Sequence, residues 1–273
     1  MDSQHAEKAL RAIPPEIKKQ RRFFNIIFGI VVLAFIVSTV STSFNPFIVF
    51  FNLENLVAFI VDDMLPPNFE RAAPTMWTAL MQTISMAFLA TLVGGIISFC
   101  LCFFASFTTS PNHILVKLVR GIASLQRNVP NVVWLFIFRM TFGIGITIGF
   151  IALLFNTVGF LVRMFAEVVD EVGKESMEAI DSTGAGYLAK LFQCVIPAAI
   201  PGFVSWLLFS VEINIRSAGI VGAIGGGGIG MVLNGFLSAF MYRTAFAVIL
   251  VLAGATIVVS MIADYLRKKV LRP

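Results

Sequence analysis

Long apolar segments alternate with short polar segments along the chain. A membrane crossing takes roughly 20 helical residues, and residues 23–40 form an uncharged apolar run of about that length. Residues 128–162 carry a single charge, but as one helix they would measure about 52 Å at about 1.5 Å per residue. The glycines of Gly143-Ile144-Gly145 are therefore predicted to divide this segment into two spans. The pattern predicts six transmembrane helices, at 23–40, 77–107, two within 128–162, 197–214 and 244–263.

Composition excludes a soluble fold. Charged residues make up only 13% of the 273 residues and the mean hydropathy is +0.90, so the chain has too little polar surface to cover itself in water. The first 22 residues are polar, and we expect no cleavable signal peptide. The three cysteines, Cys100, Cys102 and Cys194, fit neither a zinc site nor a disulfide framework and are expected to be small buried hydrophobic residues. The predicted class is an all-α membrane protein.

The charges between the spans predict which loops face the cytoplasm. Cytoplasmic loops carry an excess of Lys and Arg, and the basic stretches precede the first span, follow the second and end the chain. Residues 43–74 are acidic and predicted to be external, with a short interfacial helix that Asn52 caps. Both termini are predicted to be cytoplasmic. The predicted organisation is a basic tail at 1–22, a first transmembrane helix at 23–42, an external loop at 43–74, a core at 75–266 and a basic tail at 267–273.

The segment Glu178–Pro197 is a polar island between two apolar spans. Residues 167–183 favour a helix, Gly184 and Gly186 end it, and residues 187–193 favour a second short helix. Pro197 suits the start of the following span, because that position needs no backbone donor. The pattern predicts two short helices joined at a glycine, which would form a projecting elbow within a loop at 167–197.

This elbow resembles the EAA loop of ABC-importer permeases, a cytoplasmic helix pair that docks on an ATPase subunit. Glu178, Ala179, Gly184 and Pro197 match the family's spacing. Ile180, Cys194 and Ile196 are conservative departures from it. An ordinary amphipathic loop helix is the alternative interpretation. The resemblance implies ATPase-coupling roles for Glu178, Ala179, Ile180, Gly184, Ala185, Tyr187 and Pro197.

The glycine-rich run at 219–230 contains G-x-G-x-x-G, but no strand precedes it and no acidic residue follows at the required distance. We therefore predict that this chain does not bind ATP. The same glycines permit either close helix packing or an unwound turn that gates a cavity, and the sequence leaves both open. The candidate gate residues are Gly225, Gly226, Gly227 and Gly228.

Charged side chains within the apolar spans are candidates for the translocation path, because burying a charge in a bilayer is costly. Glu212 and Arg216 are four residues apart and share a helix face. They could form a structural ion pair or line the path. Arg139, Arg216 and Arg243 suit an anionic substrate, or could extend to lipid headgroups. The remaining path candidates on the Glu212 helix are Asn214 and Ser217.

From about residue 70 onward the chain is similar to permeases of phosphonate ABC importers. The matching segments include RNVPNVVW, EAIDSTGAG and VEINIRSAGIVGAIGGGGIG. The resemblance implies the type I importer fold and a bacterial inner-membrane homodimer without its own catalytic site or cofactor. It also implies two ATPase subunits that hold ATP and Mg²⁺, an external substrate-binding protein and no nucleic-acid partner. The alternatives are an importer for methionine or another small anion, and a stand-alone channel or secondary transporter.

Overall fold

The computed structural model describes residues 15–42, 44–45, 47–181 and 186–271. These residues form helices joined by turns and short irregular segments, which confirms the predicted all-α class. The chain divides into two compact units, residues 1–60 and 61–273.

The first unit contains one long apolar helix. Helix α1 spans Pro15–Ser41 and its apolar side chains are exposed, as expected of a helix that meets lipid rather than a protein core. Helices α2 (Ile48–Phe51) and α3 (Leu53–Ala58) follow, and π-helical turns continue from Phe59 to Met64. Asn52 occupies the predicted N-cap position of α3, but its side chain makes no cap hydrogen bond. Its Oδ1 accepts from the side-chain amide of Asn55 at 3.2 Å instead, and its own amide donates to the carbonyl of Ile48 at 2.8 Å.

The second unit is a helical bundle organised around one long helix. Helix α4 begins where the side chain of Asn68 accepts a hydrogen bond from the N–H of Arg71, at 3.0 Å. Two segments of π-helical turns, Leu191–Val195 and Gly222–Gly226, flank helix α9. The helices of this unit are α4 (Phe69–Ala105), α5 (His113–Asn128), α6 (Asn131–Phe142), α7 (Ile146–Asp181), α8 (Tyr187–Lys190), α9 (Ile196–Val221), α10 (Gly228–Ser238) and α11 (Tyr242–Leu271).

Each of the six predicted spans corresponds to a helix, but the third is short. Five segments of the described residues are long and apolar enough to cross a membrane. They include most or all of α1, α4, α7, α9 and α11. The predicted third span is the 12-residue α6. At about 1.5 Å per residue it measures about 18 Å, less than the roughly 30 Å of a bilayer core. The predicted break at Gly143-Ile144-Gly145 lies between α6 and α7.

Helix α4 takes part in three hydrophobic clusters along its length. Its first third packs on α10 and α11 around Ala72 and Ala79, and its middle packs on α6, α7 and α9 around Ala90. Its last third meets α5, α7 and α9 around Ala105. Small residues at these contacts let the helix backbones approach closely, which is how helices associate within a bilayer. Helix α4 therefore connects every other long helix of the unit.

The elbow differs from its predicted form. Helix α7 continues from the predicted fourth span to Asp181, and the chain stays helical from Tyr187 to Gly226. The described parts of the elbow thus belong to two long helical segments rather than to a pair of short helices. In a regular helix the ring of Pro197 would crowd the carbonyl of residue 193. The wider π-helical turns at Leu191–Val195 lie at this point, so the helix passes the proline without ending.

Candidate functional site

Two glycine turns, one between α6 and α7 and one between α9 and α10, meet and form what we call the glycine junction, made of Gly143, Gly145, Gly225 and Gly227. All four have positive φ angles, of 76°, 143°, 116° and 78°, a backbone region that L side chains rarely adopt. The N–H of Gly145 donates a hydrogen bond to the carbonyl of Gly225, at 2.9 Å. The junction therefore joins the α6–α7 turn to the α9–α10 turn.

Around the junction the helices approach so closely that side chains would collide. A β-carbon on Gly149 would lie 2.2 Å from the carbonyl oxygen of Gly226, and one on Gly230 would lie 2.1 Å from that of Gly219. Both interpretations that the sequence left open, close packing and an unwound turn, therefore apply to this glycine run. Irregular backbone of this kind is tolerated at membrane depth only where protein buries it or where it lines a cavity.

Thr83 of α4 supports the junction from the side. Its hydroxyl is buried, accepts a hydrogen bond from the N–H of Ile229 at 2.8 Å, and donates to the carbonyl of Ala79 at 2.9 Å. The first N–H groups of a helix lack partners within that helix, so Thr83 satisfies one of those of α10. Sequence analysis missed this residue, because its partner is 146 positions away and an isolated Thr in an apolar span carries no signal.

We expect Thr83→Val to destabilise the purified protein by about 1–3 kcal/mol, the cost of leaving a buried N–H without an acceptor. Thermal unfolding in detergent measures this as a lower midpoint. Thr256→Val is the matched control, because the Thr256 hydroxyl bonds only to the carbonyl of Leu252, one turn earlier in its own helix. Equal midpoints for the two variants would contradict a supporting role for Thr83.

An open groove lies beside the junction, between α4 and the start of α7. Its volume is about 750 Å³, and a smaller pocket of about 410 Å³ adjoins it. Gln82 and Ile146 line both. Two of the predicted gate residues, Gly227 and Gly228, line the smaller pocket. The arrangement is an apolar groove with a few polar groups, next to glycine backbone that carries no side chains.

Asn214, predicted to lie on the path, is instead buried in the bundle. Its amide nitrogen donates hydrogen bonds to the hydroxyls of Thr91 at 2.9 Å and Thr157 at 2.8 Å. All three side chains are buried. The contact joins α9 to α4 and α7, so the structure gives Asn214 a packing role between helices.

Glu212 and Arg216 form the predicted ion pair, with 3.0 Å between the carboxylate and the guanidinium. A second arginine, Arg267 of α11, approaches the other carboxylate oxygen at 3.9 Å and also pairs with Asp264 at 3.2 Å. The side chain of Glu212 is 17% exposed, whereas that of Arg216 is 62% exposed. Arg216 is therefore a mostly exposed cation. It lies beside the carboxylate of Glu212, which has two arginine partners.

The structure does not bring all the predicted path residues together. Asn214 points into the bundle, while Glu212 approaches Arg267 of α11 and pairs with Arg216 on its own helix. Ser217 is half-buried. Arg139 lies half-buried in the last turn of α6, and its side chain has no hydrogen-bond or ion-pair partner among the described residues. Arg243 donates to the carbonyl of Asp62 at 2.9 Å, so it holds the segment before α4.

The elbow is described on both sides of residues 182–185. Glu178, Ala179 and Ile180 belong to the end of α7, whereas Gly184 and Ala185 lie outside the described residues. On the far side the helix begins with exposed Tyr187 and Leu188, and Pro197 is also exposed. Leu191 and Val195 are buried in the cluster that includes Ala105. The start of this helix thus packs against the hydrophobic core on one face and is exposed on the other.

A polar cluster missed by sequence analysis lies next to the elbow. Asp170 accepts from the hydroxyl of Ser106 at 2.6 Å and from the N–H of Thr108 at 3.0 Å. Its other oxygen pairs with Arg120 at 2.7 Å, and the Nε of Arg120 donates to the carbonyl of Ala105, at 2.6 Å. We call Ser106, Thr108, Arg120 and Asp170 the loop lock, since they fasten the α4–α5 loop to α7. The charges were visible in sequence, but their pairing across 50 positions was not.

In the described part of the chain, no group of three or more His, Cys, Asp or Glu side chains could hold a metal ion. The arrangement consists of a groove beside irregular glycine backbone, the mostly exposed cation of Arg216, and the fastened α4–α5 loop next to the exposed start of the helix at Tyr187.

Comparison with solved structures defines the fold. The chain is similar to the MetNI methionine ABC transporter in an inward-facing conformation, with a TM-score of 0.64 at 20% identity over 74% of this chain and 99% of that one. An amino acid ABC transporter with histidines matches with a TM-score of 0.63 at 19% identity over 73% of this chain and 95% of that one. The fold is that of a type I ABC importer permease, as predicted.

The family follows from the sequence itself. Residues 98–272 match the model of the binding-protein-dependent transport system inner membrane component. The chain belongs to this family, and it is an inner-membrane transport component.

Among curated relatives, the phosphate-import permease of Mycolicibacterium smegmatis is 29% identical over 88% of this chain and 45% of its own length. The phosphite transport system permease of Stutzerimonas stutzeri is 28% identical over 78% of this chain and 77% of its own length. The methionine import system permease of Bacillus subtilis is 26% identical over 44% of this chain and 56% of its own length. This chain thus spans less than half the length of the mycobacterial relative.

Proposed function

We propose that this chain is the permease subunit of an ATP-driven importer for phosphonates or related small phosphorus oxyanions. It pairs with a second copy of itself and receives substrate from an external binding protein. Two ATPase subunits, which hold ATP and Mg²⁺, drive the cycle. The chain itself catalyses no reaction and holds no cofactor, and both of its termini face the cytoplasm.

The observation that carries this proposal is the family membership together with the identity of the relatives. Relatives named for phosphate and phosphite import align over 88% and 78% of this chain, while the methionine permease aligns over 44%. The methionine transporter shares the fold at 20% identity, which carries no information on substrate. The relatives therefore favour phosphorus oxyanions over methionine.

The charge distribution supports an anionic substrate. Arg216 keeps 62% of its side chain exposed, although it lies in an apolar helix where an exposed charge is costly. A guanidinium offers several N–H donors in a planar fork that matches the oxygens of phosphate and phosphonate. Arg139 supplies a further half-buried cation without a partner among the described residues. These two arginines are the side chains that we propose attract the substrate.

The elbow supports coupling to a separate ATPase. Its described part exposes Tyr187, Leu188 and Phe192, which are 48%, 65% and 63% exposed. An exposed apolar patch at the start of a helix is suited to a protein partner. We propose that Glu178, Ala179, Ile180, Gly184, Ala185, Tyr187 and Pro197 lie at or beside this docking surface, and that Gly225, Gly226, Gly227 and Gly228 serve as the gate.

Copurification and ligand binding test the proposal together. The tagged chain, expressed with its operon, should retain an ATPase subunit in mild detergent, and the partner receptor should bind phosphonate, phosphite or phosphate but not methionine. Copurification without an ATPase would favour a stand-alone channel or secondary transporter. Methionine binding by the receptor would contradict the assignment of phosphorus oxyanions as substrates, but it would still be consistent with an ABC importer.

We expect Arg216→Met to lower uptake about tenfold or more, because hydrogen bonds to charged groups contribute about 1.5–3 kcal/mol. Assembly should survive, since Arg267 remains within 3.9 Å of Glu212. Uptake by proteoliposomes and copurification of the ATPase measure the two effects. Arg163→Met is the control, because Arg163 forms a similar i,i+4 pair with exposed Glu167, at 2.9 Å. Unchanged uptake in Arg216→Met would assign its ion pair a structural role alone.

A further inference from the structure

The first part of the α4–α5 loop, which spans residues 106–112, is held by several hydrogen bonds. Ser106 and Thr109 are buried. The Ser106 hydroxyl donates to Asp170 at 2.6 Å and accepts from the N–H groups of Thr108 and Thr109, at 3.1 and 3.2 Å. The Thr109 hydroxyl donates to the carbonyl of Phe103, at 2.9 Å. The loop is thereby tied to the end of α4 on one side and to α7 on the other.

Helix α7 has a glycine where it contacts this loop. Gly173, one turn beyond Asp170, faces the side chain of Thr108, and a β-carbon at Gly173 would lie 3.1 Å from its methyl group. Arg120 of α5 reaches the same site and covers the ring of Phe107, with 4.3 Å from guanidinium carbon to ring centroid. Three helices, α4, α5 and α7, therefore share one rigid connection at the loop lock.

The elbow is attached to this connection through Tyr187. The phenol hydroxyl of Tyr187 donates a hydrogen bond to the carbonyl of Thr109, across 78 positions of sequence. The residue is otherwise half exposed, at 48%, so burial alone does not hold its ring. Tyr187 also lies before Leu191, the first residue of this helix that is buried in the core.

We infer that Tyr187 is a positioning residue that ties the coupling elbow to the α4–α5 loop, so that movement of the elbow is transmitted to α4 and α5. This inference rests on the proposed function, because it requires an ATPase that acts on the elbow. Helix α4 carries Thr83, which supports the glycine junction, and Gln82, which lines the groove. A displacement of the elbow thus has a continuous hydrogen-bonded route to the helix beside the proposed gate.

The role of the Tyr187 hydroxyl differs from that of a docking contact. Leu188 and Phe192 are the more exposed apolar side chains of the elbow, at 65% and 63%, and they are free to meet a partner. The hydroxyl of Tyr187 faces inward to Thr109. Removal of that oxygen leaves the outer apolar surface intact and disconnects the elbow from the loop. Binding of the ATPase and coupling to transport should therefore respond differently to the same substitution.

Tyr187→Phe in the full complex of permease, ATPase and receptor tests the inference. A net hydrogen bond corresponds to about a two- to tenfold shift in an equilibrium, so substrate taken up per ATP hydrolysed should fall by about that factor. The ATPase should copurify as in wild type. Amide hydrogen exchange of residues 106–112 should become faster, which reports the broken tether directly. Tyr265→Phe is the matched control, because Tyr265 is 68% exposed and its hydroxyl has no hydrogen-bond partner among the described residues.

The possible outcomes separate failure of the Tyr187 tether from failure of the proposed function. If Tyr187→Phe takes up as much substrate per ATP hydrolysed as a coupled wild-type complex, the tether is contradicted. The proposed importer function is unaffected by that result. Loss of the ATPase from Tyr187→Phe would also overturn the tether, since the hydroxyl of Tyr187 would then serve docking rather than the contact with Thr109. A wild-type complex without any ATPase would overturn the proposed function, and the tether with it. Glu178→Lys tests binding of the ATPase separately, because Glu178 lies at the elbow but is not part of the Tyr187–Thr109 contact.

Discussion

Gly149→Ala is expected to abolish correct folding of the second unit, although it adds only one methyl group. The new β-carbon would lie 2.2 Å from the carbonyl oxygen of Gly226 and 2.9 Å from the sulfur of Met86. A methionine can move aside, but the backbone of Gly226 is held within the glycine junction. Overpacking commonly costs about 1–3 kcal/mol, and a collision with fixed backbone belongs at or above the upper end of that range. We expect loss of the monodisperse peak in detergent gel filtration.

Gly254→Ala provides the control for this prediction. Gly254 lies in α11, and a β-carbon there would meet nothing within 4 Å. Alanine also favours a helix by about 1 kcal/mol over glycine in soluble hosts, so this variant should be at least as stable as wild type. A monodisperse, thermally unchanged Gly149→Ala protein would mean that the two turns do not pack as described.

Asp170→Asn is expected to destabilise the protein by about 3 kcal/mol, near the low end for breaking a buried ion pair. The partners retain some solvent contact, with 23% of Arg120 and 22% of Asp170 exposed. Asparagine keeps the size of the side chain but removes the charge opposite Arg120. It also replaces an acceptor oxygen by an NH₂ donor. Thermal unfolding in detergent, together with hydrogen exchange in residues 106–112, measures the effect.

Glu167→Gln tests whether any loss of negative charge on α7 has the same effect. Glu167 pairs with Arg163 one turn away, and both are more exposed, at 46% and 39%. Exposed i,i+4 pairs contribute about 0.3–0.5 kcal/mol, so this variant should unfold close to wild type. Similar losses of stability in the two variants would show that Asp170 acts through net charge rather than through the loop lock.

The glycine junction and the loop lock lie toward different parts of the same helix. Thr83 meets the junction in the first half of α4, and Ser106 follows its last residue. Between them, Gly94 and Gly95 face Thr157 and Leu207 so closely that β-carbons would lie 2.7 and 2.5 Å away. Close packing along its length makes α4 suited to move as one body. A rigid α4 is what the proposed coupling from elbow to gate requires.

The amino-acid sequence alone determined the class of fold and the location of its breaks. Apolar length and charge depletion act locally, so each of the six apolar segments could be recognised without knowing its neighbours. The division at Gly143-Ile144-Gly145 was predictable for the same reason, since consecutive turn signals lie within three residues. The i,i+4 pair of Glu212 and Arg216 follows from helix geometry, and the structure confirms it at 3.0 Å.

Only the tertiary structure decided which polar residues meet. Asp170 and Arg120 are 50 positions apart, Thr83 and Ile229 are 146 apart, and Arg267 approaches Glu212 from a different helix. These contacts depend on how helices pack, and helical periodicity carries no information on partners beyond the next turn. The same reason explains why Asn214 is buried among threonines instead of lining the path, and why Tyr187 is attached to a loop that lies 78 residues earlier in the chain.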